Sequence, residues 1–133
     1  MLIKNELKKI FLQLLKDDVV QIDVNGFNIT VRVFDGASKL LLSAPVYFGG
    51  NFIPKSVRTS LSHKASFAED HIKTFLTIDE DNFQVHIKYL GKLNKVNNEA
   101  FALLLEDFSW LAGEWHFFLD ERDKNDLVHV RVK

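Results

Sequence analysis

Val20-Gln21-Ile22-Asp23-Val24-Asn25-Gly26-Phe27-Asn28-Ile29-Thr30-Val31-Arg32-Val33 is the stretch that decides the fold class. Apolar residues recur at alternate positions on both sides of Asn25-Gly26, the period of a half-buried strand. Asn-Gly between two such runs is a strong hairpin signal, because a type I′ turn needs positive φ at both central residues. Asp35-Gly36 marks a second turn, and residues 39–44 read as a third strand, ended by Pro45, which has no N–H to give a ladder. The expectation is an antiparallel meander.

Upstream the period changes. Ile3, Leu7, Ile10 and Leu14, with Phe11 and Leu15 beside them, form a helical stripe, and Lys4, Lys8, Lys9 and Lys16 take most of the other face. This predicts an amphipathic helix over residues 2–16 with Asp17-Asp18 just beyond it, since acids are unfavourable in a last turn. Downstream, residues 45–51 read as a loop carrying Tyr47 and Phe48, and Pro54 opens a short helix to about residue 65 whose apolar edge is Val57 and Leu61. Residues 72–78 and 83–90 alternate around Asp79-Glu80-Asp81-Asn82 as a second hairpin. Asn97 or Asn98 caps a last helix with Glu99 in its first turn and an apolar face of Phe101, Leu104, Leu105, Phe108, Leu111, Ala112, Trp115, Phe118 and Leu119. Residues 121–126 fit a charged helix tail or a loop; residues 127–132 alternate again and fit a short edge strand or a tail. The expected fold is α+β, an antiparallel twisted sheet with helices in the order α-β-β-β-α-β-β-α, with or without a short C-terminal strand, in a single domain over residues 1–133.

Composition limits the function classes. A chain of 133 residues that is 47% hydrophobic and 26% charged supports one core and excludes a multidomain machine. The longest apolar runs, such as Phe101 to Leu105, fall far short of the ~20 residues of a membrane span. Charges at Lys4, Glu6, Lys8 and Lys9 occupy the place of a signal peptide's apolar stretch, so a cytosolic location is expected. Zero cysteines exclude disulfide and thiol chemistry, and a net charge of −1 gives no bulk attraction for nucleic acid.

Catalytic and metal motifs are absent from the sequence. There is no phosphate loop, and Gly49-Gly50 lacks the helix a phosphate cradle needs. Read as a calcium loop from Asp79, Gln84 replaces the required sixth-position glycine and Leu90 the twelfth-position glutamate. His63, His71, His86, His116 and His129 have no metal-binding spacing, and Ser60, Ser62 and His63 have no nucleophile elbow around them. No cofactor or metal is expected, and the chain reads as a non-enzyme. What exceeds a core's needs is the apolar surplus: twelve Phe, two Trp and two Tyr. Leu103, Trp110 and Phe117 fall outside the last helix's stripe, Tyr47, Phe48 and Phe52 lie on loops, and Phe34 and Phe75 point off the core face. Surplus apolar surface marks partner sites, so a binding module is favoured.

Three segments carry a resemblance. They are Leu41-Leu42-Ser43-Ala44-Pro45, the pair Phe75-Leu76-Thr77-Ile78-Asp79 and Gln84-Val85-His86-Ile87, and Glu99-Ala100-Phe101 through Leu104-Leu105-Glu106-Asp107-Phe108 to Leu111-Ala112-Gly113-Glu114-Trp115. With the element order, they resemble the class I chaperones of type III secretion systems, and among these the chlamydial small chaperones that pair with a paralogue. The resemblance implies a cytoplasmic bacterial protein that binds an extended N-terminal segment of a secreted effector or gatekeeper protein. It implies an effector surface on the first helix and hairpin, at Leu7, Phe11, Leu14, Val20, Ile22 and Phe27, and a dimer interface at Phe52, Val57, Leu61 and Phe75. The middle helix is polar, with Lys55, Arg58, His63 and Lys64, which suits a paralogous small chaperone as partner better than self-pairing into a homodimer. Two other readings stand beside it: a transcription regulator that meets a sigma factor or RNA polymerase through the last helix and residues 120–126, and a small α+β ligand-binding protein.

Overall fold

The computed structural model describes residues 9, 12, 13, 16–35, 38–61, 72–92 and 98–132, with residues 98 and 125–132 as backbone alone. Strands β1 (Val19–Val24), β2 (Phe27–Phe34), β3 (Lys39–Phe48), β4 (Thr74–Asp79) and β5 (Gln84–Lys92) form one antiparallel sheet in the order β1-β2-β3-β5-β4. Among the described residues α1 (Lys55–Ser60) and α2 (Asn98–Val132) accompany it, and residues 9, 12, 13, 16 and 17 ahead of β1 are also helical. The α+β class, the meander and the second hairpin are as expected.

The turns follow from their residues. Val24 pairs with Phe27 across Asn25 (φ 53°) and Gly26 (φ 86°), the type I′ signature, and the Gly26 N–H donates to Asp23 Oδ1 at 3.1 Å. At the second hairpin Asp79 Oδ1 accepts the N–H groups of Asp81 (3.2 Å) and Asn82 (3.3 Å), while Oδ2 accepts Asn82 Nδ2 (2.8 Å). Phe83 then adopts φ 55°, rare for a bulky side chain. It is held there by the Gly49 N–H, which donates to the Phe83 carbonyl at 2.7 Å. A Cβ on Gly49 would lie 2.3 Å from the Phe52 carbonyl oxygen and 2.9 Å from that of Phe83, so only glycine fits this approach.

Five expectations are corrected or bounded by the structure. Pro45 does not end the third strand: β3 runs to Phe48. The pairing of β3 with β2 has already stopped at Ser43, and a bulge takes up Val46 between the pairs Pro45↔His86 and Tyr47↔Val85, the setting in which a strand tolerates proline. The bulge turns Val46 and Tyr47 both inward, so Tyr47 is buried and not a loop aromatic. In the first helix, Lys9, Leu12, Gln13, Lys16 and also Asp17 are helical; Gln13 Nε2 donates to the Asp17 carboxylate, and the left-handed Asp18 (φ 62°) makes the exit. The helix after Pro54 is seen over Lys55–Ser60, and residues 62–70 lie outside the described residues. Residues 127–132 are neither an edge strand nor a tail, because α2 continues through them to Val132. Between Glu114 and Val132 no Pro or Gly interrupts a helix that needs one new hydrogen bond per residue to propagate, and this outweighs a short alternation.

The core lies between one sheet face and α2. Ile29, Val31, Val33, Leu40, Leu42, Val85 and Ile87 meet Phe101, Leu104, Leu105, Phe108, Leu111, Ala112, Trp115 and Leu119, all buried. Phe118 of the expected stripe is half-buried at its edge, T-shaped to Trp115 with ring centroids 5.6 Å apart. Val57 of α1 closes one end of the core, and on α2 Arg122 lies over the Phe118 ring at 4.9 Å. Tyr47, buried at the end of β3, lies near Asp123 of the second half of α2; burial first, then the Asp123 carboxylate, raises the phenol far above its ordinary value.

Candidate protein-binding surfaces

β1 is an edge strand whose Val20 and Ile22 lean on the core half-buried, opposite Val31 and Ile29. Lys9 and Gln13 lie beside them, and together with Val19 and Gln21 they line a cleft of about 560 Å³. The structure thus brings two of the sequence-assigned effector residues to the first helix. Leu7, Phe11 and Leu14 lie outside the described residues.

Phe27 belongs to a second, separate cleft. Because β2 and β3 part company after Thr30↔Ser43, the start of β2 and the end of β3 splay, leaving a gap of about 310 Å³ lined by Gly26, Phe27, Asn28, Pro45, Phe48 and His116. His116 reaches across from α2. Its Nδ1 lies 2.8 Å from the Val46 carbonyl oxygen, which only accepts, so Nδ1 carries the proton. The ring stands edge-on to Phe27 with centroids 6.1 Å apart, while Asn25 Nδ2 donates to Ser109 Oγ at 2.9 Å. The turn and helix are therefore locked together around the gap, beside an exposed Phe48 (61%). Reading histidines by spacing passed over His116, whose neighbours are set only by the splay.

The far face of the sheet is not covered by α2. Leu41 pairs with Leu90 and Phe75 with Lys88, and Phe34, Phe75 and Leu90 are exposed, as sequence reading expects for Phe34 and Phe75. His86 on this face has its imidazole pKa lowered, by burial first and Lys88 second, against a raising effect of Asp79. Of the residues assigned to a dimer interface, Phe52 (64%) and Phe75 (46%) are exposed, Leu61 is half-buried, and Val57 is wholly within the core.

The polar middle helix has an internal explanation. Arg58 Nη2 and Nη1 donate to Glu80 Oε1 and Oε2 at 2.7 and 3.3 Å, and its Nε donates to the Ile53 carbonyl at 3.2 Å. The same contact holds the Glu80 carboxyl below its usual value. The guanidinium clamps α1 to the β4–β5 turn instead of standing free on a would-be interface. Among the described residues no three His, Asp or Glu side chains converge as metal ligands, and no helix is long and apolar enough to cross a membrane.

No protein-family model and no curated protein sequence matches the chain. Solved structures do. The ExsC–ExsE complex contains a chain similar over 86% of this one and 92% of its own length, at 16% identity and a TM-score of 0.63. The heterodimeric ExoU–SpcU complex from the type III secretion system of Pseudomonas aeruginosa matches over 91% and 97%, at 16% identity and TM-score 0.57. The Yersinia pestis type III secretion chaperone SycH, in complex with a stable fragment of YscM2, matches over 80% and 94%, at 12% identity and TM-score 0.55. With near-complete coverage in both directions, this chain has the fold of the class I type III secretion chaperones.

Proposed function

We propose that the chain is a cytoplasmic, non-enzymatic type III secretion chaperone that holds an N-terminal segment of a secreted effector or gatekeeper protein in extended form. The observation that carries the reading is the pair of clefts beside the β1–β2 hairpin, a mixed one along the edge strand where Val20 and Ile22 sit among Lys9, Gln13 and Gln21, and a mostly apolar one at Phe27 and Phe48, on a fold shared with a chain of the HopA1–SchA chaperone–effector complex. An extended segment gains main-chain hydrogen bonds at an edge strand and buries alternate side chains in such clefts. Leu7, Phe11 and Leu14 complete the effector surface in this proposal.

The proposed partner in the working particle is a related small chaperone. Phe52 and Phe75 offer it apolar surface with Leu61 at the margin, while Val57 supports that surface from inside. Co-expression with candidate effectors and paralogues, followed by light scattering, tests both parts. The expected result is a stable one-to-one complex with a paralogue that captures an effector segment, and loss of capture in Phe11→Asp and Phe27→Asp with circular dichroism showing the fold retained. Capture undiminished in both variants sinks the assigned surface. A lone particle of twice 15.4 kDa replaces the heterodimer with a homodimer.

A further inference from the structure

The solvent side of α2 follows a rule of its own. At spacings of four and three residues it runs Leu103, Asp107, Trp110, Glu114, Phe117, Glu121 and Lys124. Three large apolar side chains stand seven residues apart and exposed, at 62% for Leu103, 43% for Trp110 and 64% for Phe117, each followed by an acid. A seven-residue repeat keeps one line on one side of a helix, the seam that a second helix fits. From residue 99 to residue 121 the helix carries Glu99, Glu106, Asp107, Glu114, Asp120 and Glu121 and no Lys or Arg, in a chain whose net charge is only −1. The nearest cation of the line, Lys124, is turned back to Asp120 at 3.5 Å. Burial of the helix's other side does not require this arrangement, since the core stripe is complete without these residues.

We propose that this side of α2 is a docking strip for a cationic amphipathic helix of another protein, with apolar residues at heptad spacing and Lys or Arg between them. The charge argument selects that occupant. A second copy aligned antiparallel about Trp110 would stack the apolar residues but set Glu106 against Glu114; shifted to avoid this, it would set Leu103 against Glu121 and Trp110 against Glu114. Nucleic acid and anionic lipid are repelled by the same acids. Trp110 at the centre of the line is the residue type that most often anchors such contacts. The strip lies on the opposite side of the molecule from the open sheet face, and it is distinct from the clefts at Ile22 and Phe27, so a docked helix and a bound effector are compatible.

The test uses the whole chain and a labelled synthetic helical peptide of about 21 residues, three turns longer than half the strip's ~20 Å apolar span requires at each end, with Leu at heptad spacing and Lys between. A scrambled peptide of identical composition is the control. Fluorescence anisotropy is expected to show saturable binding of the patterned peptide that weakens with salt, a blue shift of the tryptophan emission, and at least tenfold weaker binding of the scramble. Leu103→Ser/Phe117→Ser and Asp107→Lys/Glu121→Lys are each expected to lose about tenfold while melting at the parent temperature. Equal binding of the scramble, or undiminished binding by both double variants, overturns the proposal. A chain that is dimeric by light scattering and becomes monomeric in Leu103→Ser assigns the strip to a second copy instead and also overturns it.

Discussion

Replacing Gly49 with alanine isolates the contact that fixes the end of β3 to the β4–β5 turn. The added methyl would meet the backbone oxygens of Phe52 and Phe83 at 2.3 and 2.9 Å, and backbone has no rotamer by which to step aside. The Gly49 N–H to Phe83 O bond, 2.7 Å long, must then lengthen or break, at a net cost of about 1 kcal/mol. Moving packed backbone to relieve the overlap costs about 1–3 kcal/mol more. The total, about 2–4 kcal/mol, corresponds to a fall in melting temperature on the order of 10 °C for a domain of this size. Gly50→Ala is the control. At φ 76° a side chain there meets nothing within 4 Å, so only the left-handed backbone term applies, about 1–2 kcal/mol. Urea titrations followed by circular dichroism give both numbers, with an unchanged m-value expected. A Gly49→Ala loss equal to or smaller than that of Gly50→Ala refutes the steric reasoning.

Two further predictions concern histidines. Because the folded state holds the His86 imidazole below its ordinary value of about 6.5, the unfolded chain takes up the proton first. The stability is therefore complete above about pH 6.5 and declines as the pH falls toward the lower folded value. Denaturation midpoints between pH 8 and 5 should show that slope, and His86→Gln should flatten it; an NMR midpoint for the His86 ring at or above 6.5 contradicts it. His116→Phe keeps an aromatic face toward Phe27 but leaves the Val46 carbonyl without its donor, for an expected loss of about 1 kcal/mol in urea titration. No loss would mean that the bulge holds without the imidazole.

Elements built on local period were legible before any coordinates. The Asn25-Gly26 hairpin, the alternation through β4 and β5, and the buried stripe of α2 depend on neighbours two to four residues away, as do the outward positions of Leu103, Trp110 and Phe117. What was not legible depends on partners far along the chain. Pro45 reads as a stop until it is known that β2 has already left β3 at Ser43. Arg58 reads as an unsatisfied cation until Glu80, 22 residues on, is placed beside it. Phe27 and Ile22 share one hairpin in the sequence yet line different clefts, because the splay of β2 from β3 separates them. The alternation over residues 127–132 misled for the opposite reason, being local where the helix entering it was already formed.

The extra residue at Val46 makes β3 two strands in different frames. Ahead of it even-numbered side chains point inward; behind it the odd-numbered Tyr47 does, and Phe48 is sent out to solvent. Removing Val46 alone would leave every other letter of the strand intact and restore a single alternation, with Tyr47 following Pro45 in the inward place and Phe48 still outward. The bulge therefore does not choose which aromatic is shown at the cleft; it lets the end of β3 bury two consecutive side chains, Val46 and Tyr47, where a regular strand would bury one.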